Sequence, residues 1–330
     1  MNQPSSSNNR GEYRHPQPAK RRVCGSIKTV ACILLGAVVL LGTLAFVGQL
    51  LLKEDAQPNV KGPQFSEVDP DQGDPQQKRG SFTDRLFEKS DKEPDHELDP
   101  ALEVARLGLE KLRADVSDYK ALMVKQERLN KELLDEEFMQ VKVRHGNADQ
   151  DVNKAFYVRH VKPASMAGQE AIWVENQNDG KLIGHGSGLQ KLITVNLKPD
   201  SWLAMRGNRY PITELGIETL LIRMIEKGEK SRKHESPCHV DYSRDLEING
   251  NPATKITITH PEKHRDLEFH IAKIYIDDKL QLPVGYEGYT WPEKEGGEPQ
   301  LIERYFYQDL EINPGLTELD FDPQNPEYEY

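Results

Sequence analysis

The feature that most restricts this chain is the run from Ala31 to Leu52, ACILLGAVVLLGTLAFVGQLLL, which carries no charged residue. From Thr29 to Leu52 only Thr29, Thr43 and Gln49 have polar side chains, and as a helix these 24 residues rise about 36 Å. That length spans a hydrocarbon core of about 30 Å with some tilt. A cleaved export signal has a shorter apolar core and ends in a small-residue site, whereas this run ends in Leu50-Leu51-Leu52-Lys53-Glu54-Asp55. Residues 29–52 are therefore expected to form an uncleaved, single-pass transmembrane helix.

The flanks set its direction. Arg10, Arg14, Lys20, Arg21, Arg22 and Lys28 precede the run against one acid, Glu12, and Glu54, Asp55, Glu67, Asp69 and Asp71 follow it. Basic residues stay on the cytoplasmic side, so the expected location is the inner (cytoplasmic) membrane, with the C-terminal part in the periplasm or an equivalent compartment. Residues 1–28 read as a disordered basic tail and 53–97, typified by GPQFSEVDPDQGDPQQKRG, as a disordered acidic, Pro-rich linker. Residues 98–330 read as one extracytoplasmic domain. A net charge of −11 argues against nucleic acid as a partner. Only Cys238 lies beyond the apolar run, so this domain has no internal disulfide to rely on and needs a hydrophobic core.

Asp99-Pro100 reads as an N-cap and first helical residue, and Leu102, Ala105, Leu109, Leu112 and Val116 follow on one helical face. The period then falls to two. Met139, Val141 and Val143 alternate with Gln140, Lys142 and Arg144, and Ile256 and Ile258 with Thr257 and Thr259. Ten strands are expected: 119–128, 137–145, 155–161, 170–176, 192–198, 240–248, 253–260, 268–277, 282–291 and 301–312. Asn178-Asp179-Gly180, Asn249-Gly250 and Asp277-Asp278 supply turn chemistry between them. A second helix is expected where Thr213 can cap, Ile217, Leu220, Leu221, Met224 and Ile225 form a stripe, and Gly228 can end it. The fold class is α+β: a strongly curved antiparallel sheet or open β-barrel covered by two helices.

At this level the order of elements resembles the LolA/LolB type of lipoprotein carrier, which implies an open barrel whose helical lid encloses acyl chains. Five stretches, MVKQERL (123–129), VKVR (141–144), ENQNDGKLIGHGSG (175–188), AMRGNRYPITELGI (204–217) and FDPQNPEY (321–328), resemble an exported planctomycete-type bacterial family of unknown function. A membrane anchor departs from the carrier pattern, since lipoprotein carriers are soluble or lipid-anchored.

The expected function is a membrane-anchored, envelope-associated binding module that accepts a lipid, an acyl chain or a lipoprotein, with an envelope protein as a possible further partner. The candidate groove is drawn from Leu122, Val124, Met139, Val141, Ile172, Val174, Val195, Leu197, Ile256, Ile258, Ile274 and Ile276 on the sheet and Leu220 and Met224 on the lid, with Leu109 and Leu112 on the other helix. Arg128 and Arg304 are the polar candidates for a headgroup or carboxylate. An alternative is a structural or protein-interaction domain that displays Tyr286, Tyr289, Trp291, Tyr305 and Tyr307. A third, an envelope-polymer hydrolase, rests on abundant carboxylates and His185. Gly184-His185-Gly186-Ser187-Gly188 does not fit a nucleophile elbow, and the spacing of His234, Cys238, His239, His260, His264 and His270 matches no metal motif. No catalytic residue, metal ligand or cofactor is assigned from the sequence.

Overall fold

The computed structural model describes residues 60–67 and 94–330, apart from residue 235. The apolar run 29–52, the tail before it and most of 53–97 lie outside the described residues. No helix among the described residues is long and apolar enough to cross a membrane. Residues 57–330 form a compact unit of their own.

The unit is a single antiparallel sheet with two helices on one face. Its strands are β1 (Phe65–Glu67), β2 (Asp118–Leu129), β3 (Glu132–Leu133), β4 (Glu137–Arg144), β5 (Ala155–Lys162), β6 (Glu170–Val174), β7 (Leu182–His185), β8 (Val195–Leu197), β9 (His239–Ile248), β10 (Asn251–Thr259), β11 (Ile271–Asp277), β12 (Leu282–Thr290) and β13 (Gln300–Ile312). Their spatial order is β1-β9-β10-β11-β12-β13-β2-β4-β5-β6-β7-β8, with β3 on β2. Two meanders are thus joined through the β13–β2 pair, and β1 and β8 remain as separate edges, so the curved sheet stays unclosed. Register shifts at Ala253/Lys255, Tyr275/Ile276, Gly288/Tyr289, Gln308/Glu311 and Phe138/Met139 mark bulges. An extra residue in one strand bends it and sharpens its twist, which curves the sheet.

Helix α1 (Asp99–Asp115) and helix α2 (Ile217–Arg232) cover one face. Asp99 is inside α1 rather than its cap: Leu98 holds the cap position, and the Asp99 carboxylate accepts from the His96 backbone N–H and from Arg232 at the end of α2. Helix α2 starts at Gly216, whose φ of 108° a side chain would disfavour. There the buried Tyr119 hydroxyl accepts the Ile217 N–H at 2.9 Å. Gly228 does not end α2. A Cβ there would lie 2.7 Å from Leu102 Cδ2, so it is the point of closest approach to α1. The stretch from Lys227 to Lys233 is accordingly helical almost throughout, with Lys227 and Arg232 held in ion pairs.

Three apolar clusters follow. The largest, with Leu112, Tyr119, Val143, Phe156, Ile217 and Leu221, lies between helices and sheet. A second, with Val124, Phe138, Tyr275 and Phe306, covers the opposite face, where Phe65 packs edge-on to Phe306 at 5.5 Å. Residues 65–67, in the stretch expected as linker, therefore add an edge strand. In the third, the C-terminal tail lays Phe321 and Tyr328 against Tyr157 and Ile172, with Tyr157 and Tyr328 stacked at 4.1 Å. The turn residues do what their chemistry allows: Asn249 and Gly250 both take positive φ between β9 and β10, and Asp277 accepts from the Lys279 and Leu280 backbone N–H groups. Residues 182–185, outside the ten expected strands, supply a further strand, β7, because Leu182 and Gly184 are buried against β6.

Candidate functional site

Under α2 the sheet is not filled. A cavity of about 1300 Å³ opens between α2, the loop of residues 203–216, and strands β2, β4, β5, β6, β7, β8, β10, β11, β12 and β13. Strand pairing arranges its floor in rows across β4, β2 and β13. Met139, Met123 and Tyr307 form one row, Glu137, Lys125 and Tyr305 the next, and Glu127 and Glu303 a third. Residues two apart share a face, so Met123, Lys125 and Glu127 all point into the cavity. The floor thus runs from apolar to charged within three rows. Ile258, Ala272, Ile274 and Tyr286 extend the apolar side along the sheet, and Leu220 and Met224 form the roof.

Four of the chain's six methionines, Met123, Met139, Met166 and Met224, line this one cavity. Unbranched thioethers adapt to irregular apolar shapes better than branched side chains. The concentration makes the wall deformable.

The charged end is balanced and tightly bonded. Glu127 and Glu303 are directly opposite across β2 and β13, an arrangement that like charges disfavour. The loop from Asn208 to Tyr210 offsets this. The Arg209 backbone N–H donates to Glu127 at 2.9 Å, Arg209 Nε to Glu303 at 3.0 Å and the Tyr210 hydroxyl to Glu303 at 2.8 Å. Tyr305 donates to Glu127, and Lys227 from α2 reaches Glu303 at 3.5 Å. Lys125 Nζ donates to Asn208 at 2.6 Å and lies 3.2 Å from Glu137, which also meets His160 Nε2 at 3.2 Å.

Burial works to raise the Glu137 carboxyl, but the His160 hydrogen bond and the Lys125 charge outweigh it and hold it below its ordinary range. Burial likewise opposes the charge of Lys227, and Glu303 more than compensates, so its ammonium is held above its usual value. Tyr210 is pushed up by burial and by the Glu303 charge. These groups are fixed in their ionised or neutral forms near neutrality and hold one another in place.

A second polar feature lies by β6 and β7. Glu170 and His185 have fully buried side chains 3.9 Å apart. Burial raises the Glu170 carboxyl, opposed by His185 and Arg159. Ser187 is occupied by the Ser165 carbonyl, to which its hydroxyl donates at 2.6 Å, so Gly184 to Gly188 offers no free nucleophile.

The sequence candidates separate by strand face and by position along the strand. Met139, Val195, Leu197, Leu220, Met224, Ile258 and Ile274 line the cavity. Val141, Ile256 and Ile276, like Leu109 and Leu112, join the packed core beside it. Leu122 and Val124 were placed on the wrong face: β2 is apolar on both sides, and they turn toward Phe138 and Phe306 while Met123 turns inward. Ile172 and Val174 face a smaller pocket under the C-terminal tail with Phe321. Arg128 and Arg304 do not line the cavity. Arg128 donates to the carbonyls of Leu301 and Lys131, and Arg304 pairs with Glu287 at 2.8 Å.

Of the aromatics proposed as a display surface, Tyr286, Trp291, Tyr305 and Tyr307 are buried and Tyr289 is half-buried. Cys238 is buried, and burial followed by the Glu97 charge pushes its thiol up to about 12. His234 Nε2 meets His264 Nδ1 at 2.8 Å with Asp266 nearby. However, His234 Nδ1 accepts the Ser236 N–H and His264 Nδ1 the Asp266 N–H, which is the reverse of the outward donation that orients metal-ligating imidazoles. This group reads as a hydrogen-bonded pair.

Sequence reasoning missed the charged rows. Lys125 and Glu127 interrupt the apolar pattern of MVKQERL, and in a strand buried on both faces such interruptions are the signal of an internal polar cluster.

Fold and cavity together define an open antiparallel sheet that holds a large, methionine-rich chamber under one helix. The chain belongs to the family described as "Protein of unknown function (DUF1571)", which matches residues 116–330. Segments 123–129, 175–188 and 204–217, quoted above for the family resemblance, all contribute to the cavity wall.

No curated protein matches the chain. Among solved structures, a domain described as an outer membrane lipoprotein-sorting protein from Vibrio parahaemolyticus is 14% identical, with 66% of this chain and 97% of that one covered and a TM-score of 0.31. A DUF1329 family protein from Desulfovibrio piger is 12% identical over 67% and 96%, with a TM-score of 0.31. A LolA superfamily protein from Nitrosomonas europaea is 14% identical over 66% and 97%, with a TM-score of 0.27.

Proposed function

We propose that the unit is a binding module whose cavity takes an elongated apolar ligand, an acyl chain of a lipid or lipoprotein, and that the apolar run 29–52 tethers it to the outer face of the cytoplasmic membrane. The observation that carries this reading is the cavity itself: at about 1300 Å³ it exceeds the roughly 300–1,000 Å³ typical of small-molecule sites. Its apolar end is floored by Met139, Ile258 and Ile274 and roofed by Leu220 and Met224.

The energetics suit a chain. Each CH₂ moved out of water contributes about 0.8 kcal/mol, so ten of them offer roughly 8 kcal/mol before ordering costs, which corresponds to micromolar affinity or weaker. The charged row does not favour hydrolysis as a second reading. Glu127, Glu137 and Glu303 are each engaged by cationic or hydroxyl partners. The carboxyl that burial raises, Glu170, has no exposed side-chain surface. A polar end of this kind accepts a headgroup or ester while the chain lies over the methionines.

The test is displacement of a fluorescent fatty acid by unlabelled acyl chains of graded length, on the full chain and on Ile274→Trp. Affinity is expected to rise with chain length, and filling the cavity from β11 is expected to weaken binding about tenfold or more, the equivalent of roughly 1.4 kcal/mol. Length-independent binding, or an Ile274→Trp protein that binds as well as the parent, would defeat the reading.

A further inference from the structure

Eight large apolar side chains are strongly exposed among the described residues, and five of them fall within one short stretch: Leu189, Leu192, Ile193, Trp202 and Leu203. Leu192 is 83% exposed and Trp202 79%. Scattered single exposures need no explanation, but a cluster of this size on one lip does. Leu189, Ile193 and Leu203 also line the cavity, so the patch is continuous with the interior and forms its rim. The segment that bears it has little of its own to hold it flat. It consists of a 3-10 turn over Gly188–Leu192, the short edge strand β8 and the loop that follows.

We propose that this rim is a membrane-docking surface, which inserts Leu192, Ile193 and Trp202 into the headgroup and upper acyl region of a bilayer so that the cavity opens onto lipid. Two observations favour a bilayer over a protein. The patch combines a tryptophan with branched aliphatic residues, the composition that settles at a water–hydrocarbon boundary, and the exposed Lys198 and Arg206 flank it against one acid, Asp200, which suits anionic headgroups. The same chain also carries the uncharged run Ala31–Leu52, which keeps a membrane surface within reach. The inference rests on the ligand reading above, because a docked rim gives an acyl chain a path from bilayer to cavity without crossing water.

The experiment uses the full chain reconstituted in vesicles of phosphatidylcholine with a minor fraction of phosphatidylglycerol, in which the phosphatidylcholine is either plain or brominated on its acyl chains. Bromine quenches tryptophan only on contact at that depth. The chain has three tryptophans, none in the run 29–52, and of these Trp291 is buried and Trp173 packs against the main core. Quenching of up to about one third of the emission is therefore expected from Trp202, one indole of three, at interfacial depth. It should vanish in Trp202→Phe, fall sharply in Leu192→Glu, and weaken when phosphatidylglycerol is omitted. Equal emission from plain and brominated vesicles overturns the proposal and leaves the patch to a protein partner.

Fatty-acid displacement on Leu192→Glu, at a rim residue outside the cavity lining, separates the two readings. Retained binding with lost quenching supports a docking role distinct from the cavity. Quenching by wild type without fatty-acid binding keeps the docking surface while the ligand reading fails.

Discussion

The two ends of the helix-covered face are built from the same alternating strands, yet one is packed and the other hollow. At the packed end, beneath the C-terminal part of α1 and the start of α2, Leu112, Tyr119, Phe156 and Ile217 have no exposed surface. Tyr119 bridges strand and helix through the Ile217 N–H. At the hollow end α2 stands off the sheet, and methionines, tyrosines and charged residues line the gap. The difference teaches that close packing and open space have been allotted to separate stretches of one face. Close packing fixes one stretch; a deformable wall bounds the other.

This contrast is open to test by substitution. Phe156→Ala empties a fully buried site that neighbours cannot collapse into, and is expected to lower stability by about 3–5 kcal/mol in urea denaturation. Met139→Ala, at a residue equally shielded from solvent but with one side toward the cavity, should cost about 2 kcal/mol, the bottom of the range for such a change. Equal losses at the two sites would abolish the distinction.

The charged rows belong to the hollow end and sharpen the comparison differently. Lys125→Ala leaves Glu137 beside Glu127 in a buried site without its ammonium, and removing one partner from such a set is expected to cost about 3 kcal/mol. The double substitution Lys125→Met/Glu137→Gln should recover part of that loss. A null effect of Lys125→Ala on the urea midpoint would mean that water, rather than this network, satisfies the glutamates.

The smallest expected effect concerns pH. His145 and His260 both have values held below the ordinary 6.5, chiefly by burial, so the folded protein refuses protons that the unfolded chain accepts. Stability is therefore full above about pH 6.5 and falls as pH drops through 6.5 toward the folded values. Glu170, raised by burial, works in the opposite sense nearer its own range, so the histidine contribution has to be isolated. Comparing urea midpoints at pH 7.5 and pH 5.5 should show a smaller drop in His260→Gln than in the parent. An unchanged drop assigns the pH dependence elsewhere.

Much of the architecture was legible in the residues. Period-two alternation gave most strands, Asn249-Gly250 and Asp277 marked their turns, and the Ile217 stripe located α2, because these signals act over a few neighbouring residues. The misreadings share a cause. Gly228 looks like a helix end until Leu102 of α1 is seen against it, and Leu122 and Val124 look like groove residues until the face of β2 is known. Phe65–Glu67 looks like linker until it is paired with β9. Each depends on a contact made far along the chain.

The sequence by itself determined the strand and helix periods, the turn positions, the acidic balance and the uncharged run before residue 53, all of which are local properties of the backbone and its side chains. Tertiary structure alone decided which face of each strand is inward, that Glu127 meets Glu303 and Lys125 meets Glu137, that four methionines share one chamber, and that Leu192 and Trp202 stand at its mouth. Those outcomes follow from register and from the spacing between α2 and the sheet. Register can shift by one residue without any change in local propensity, yet that shift exchanges the two faces of a strand.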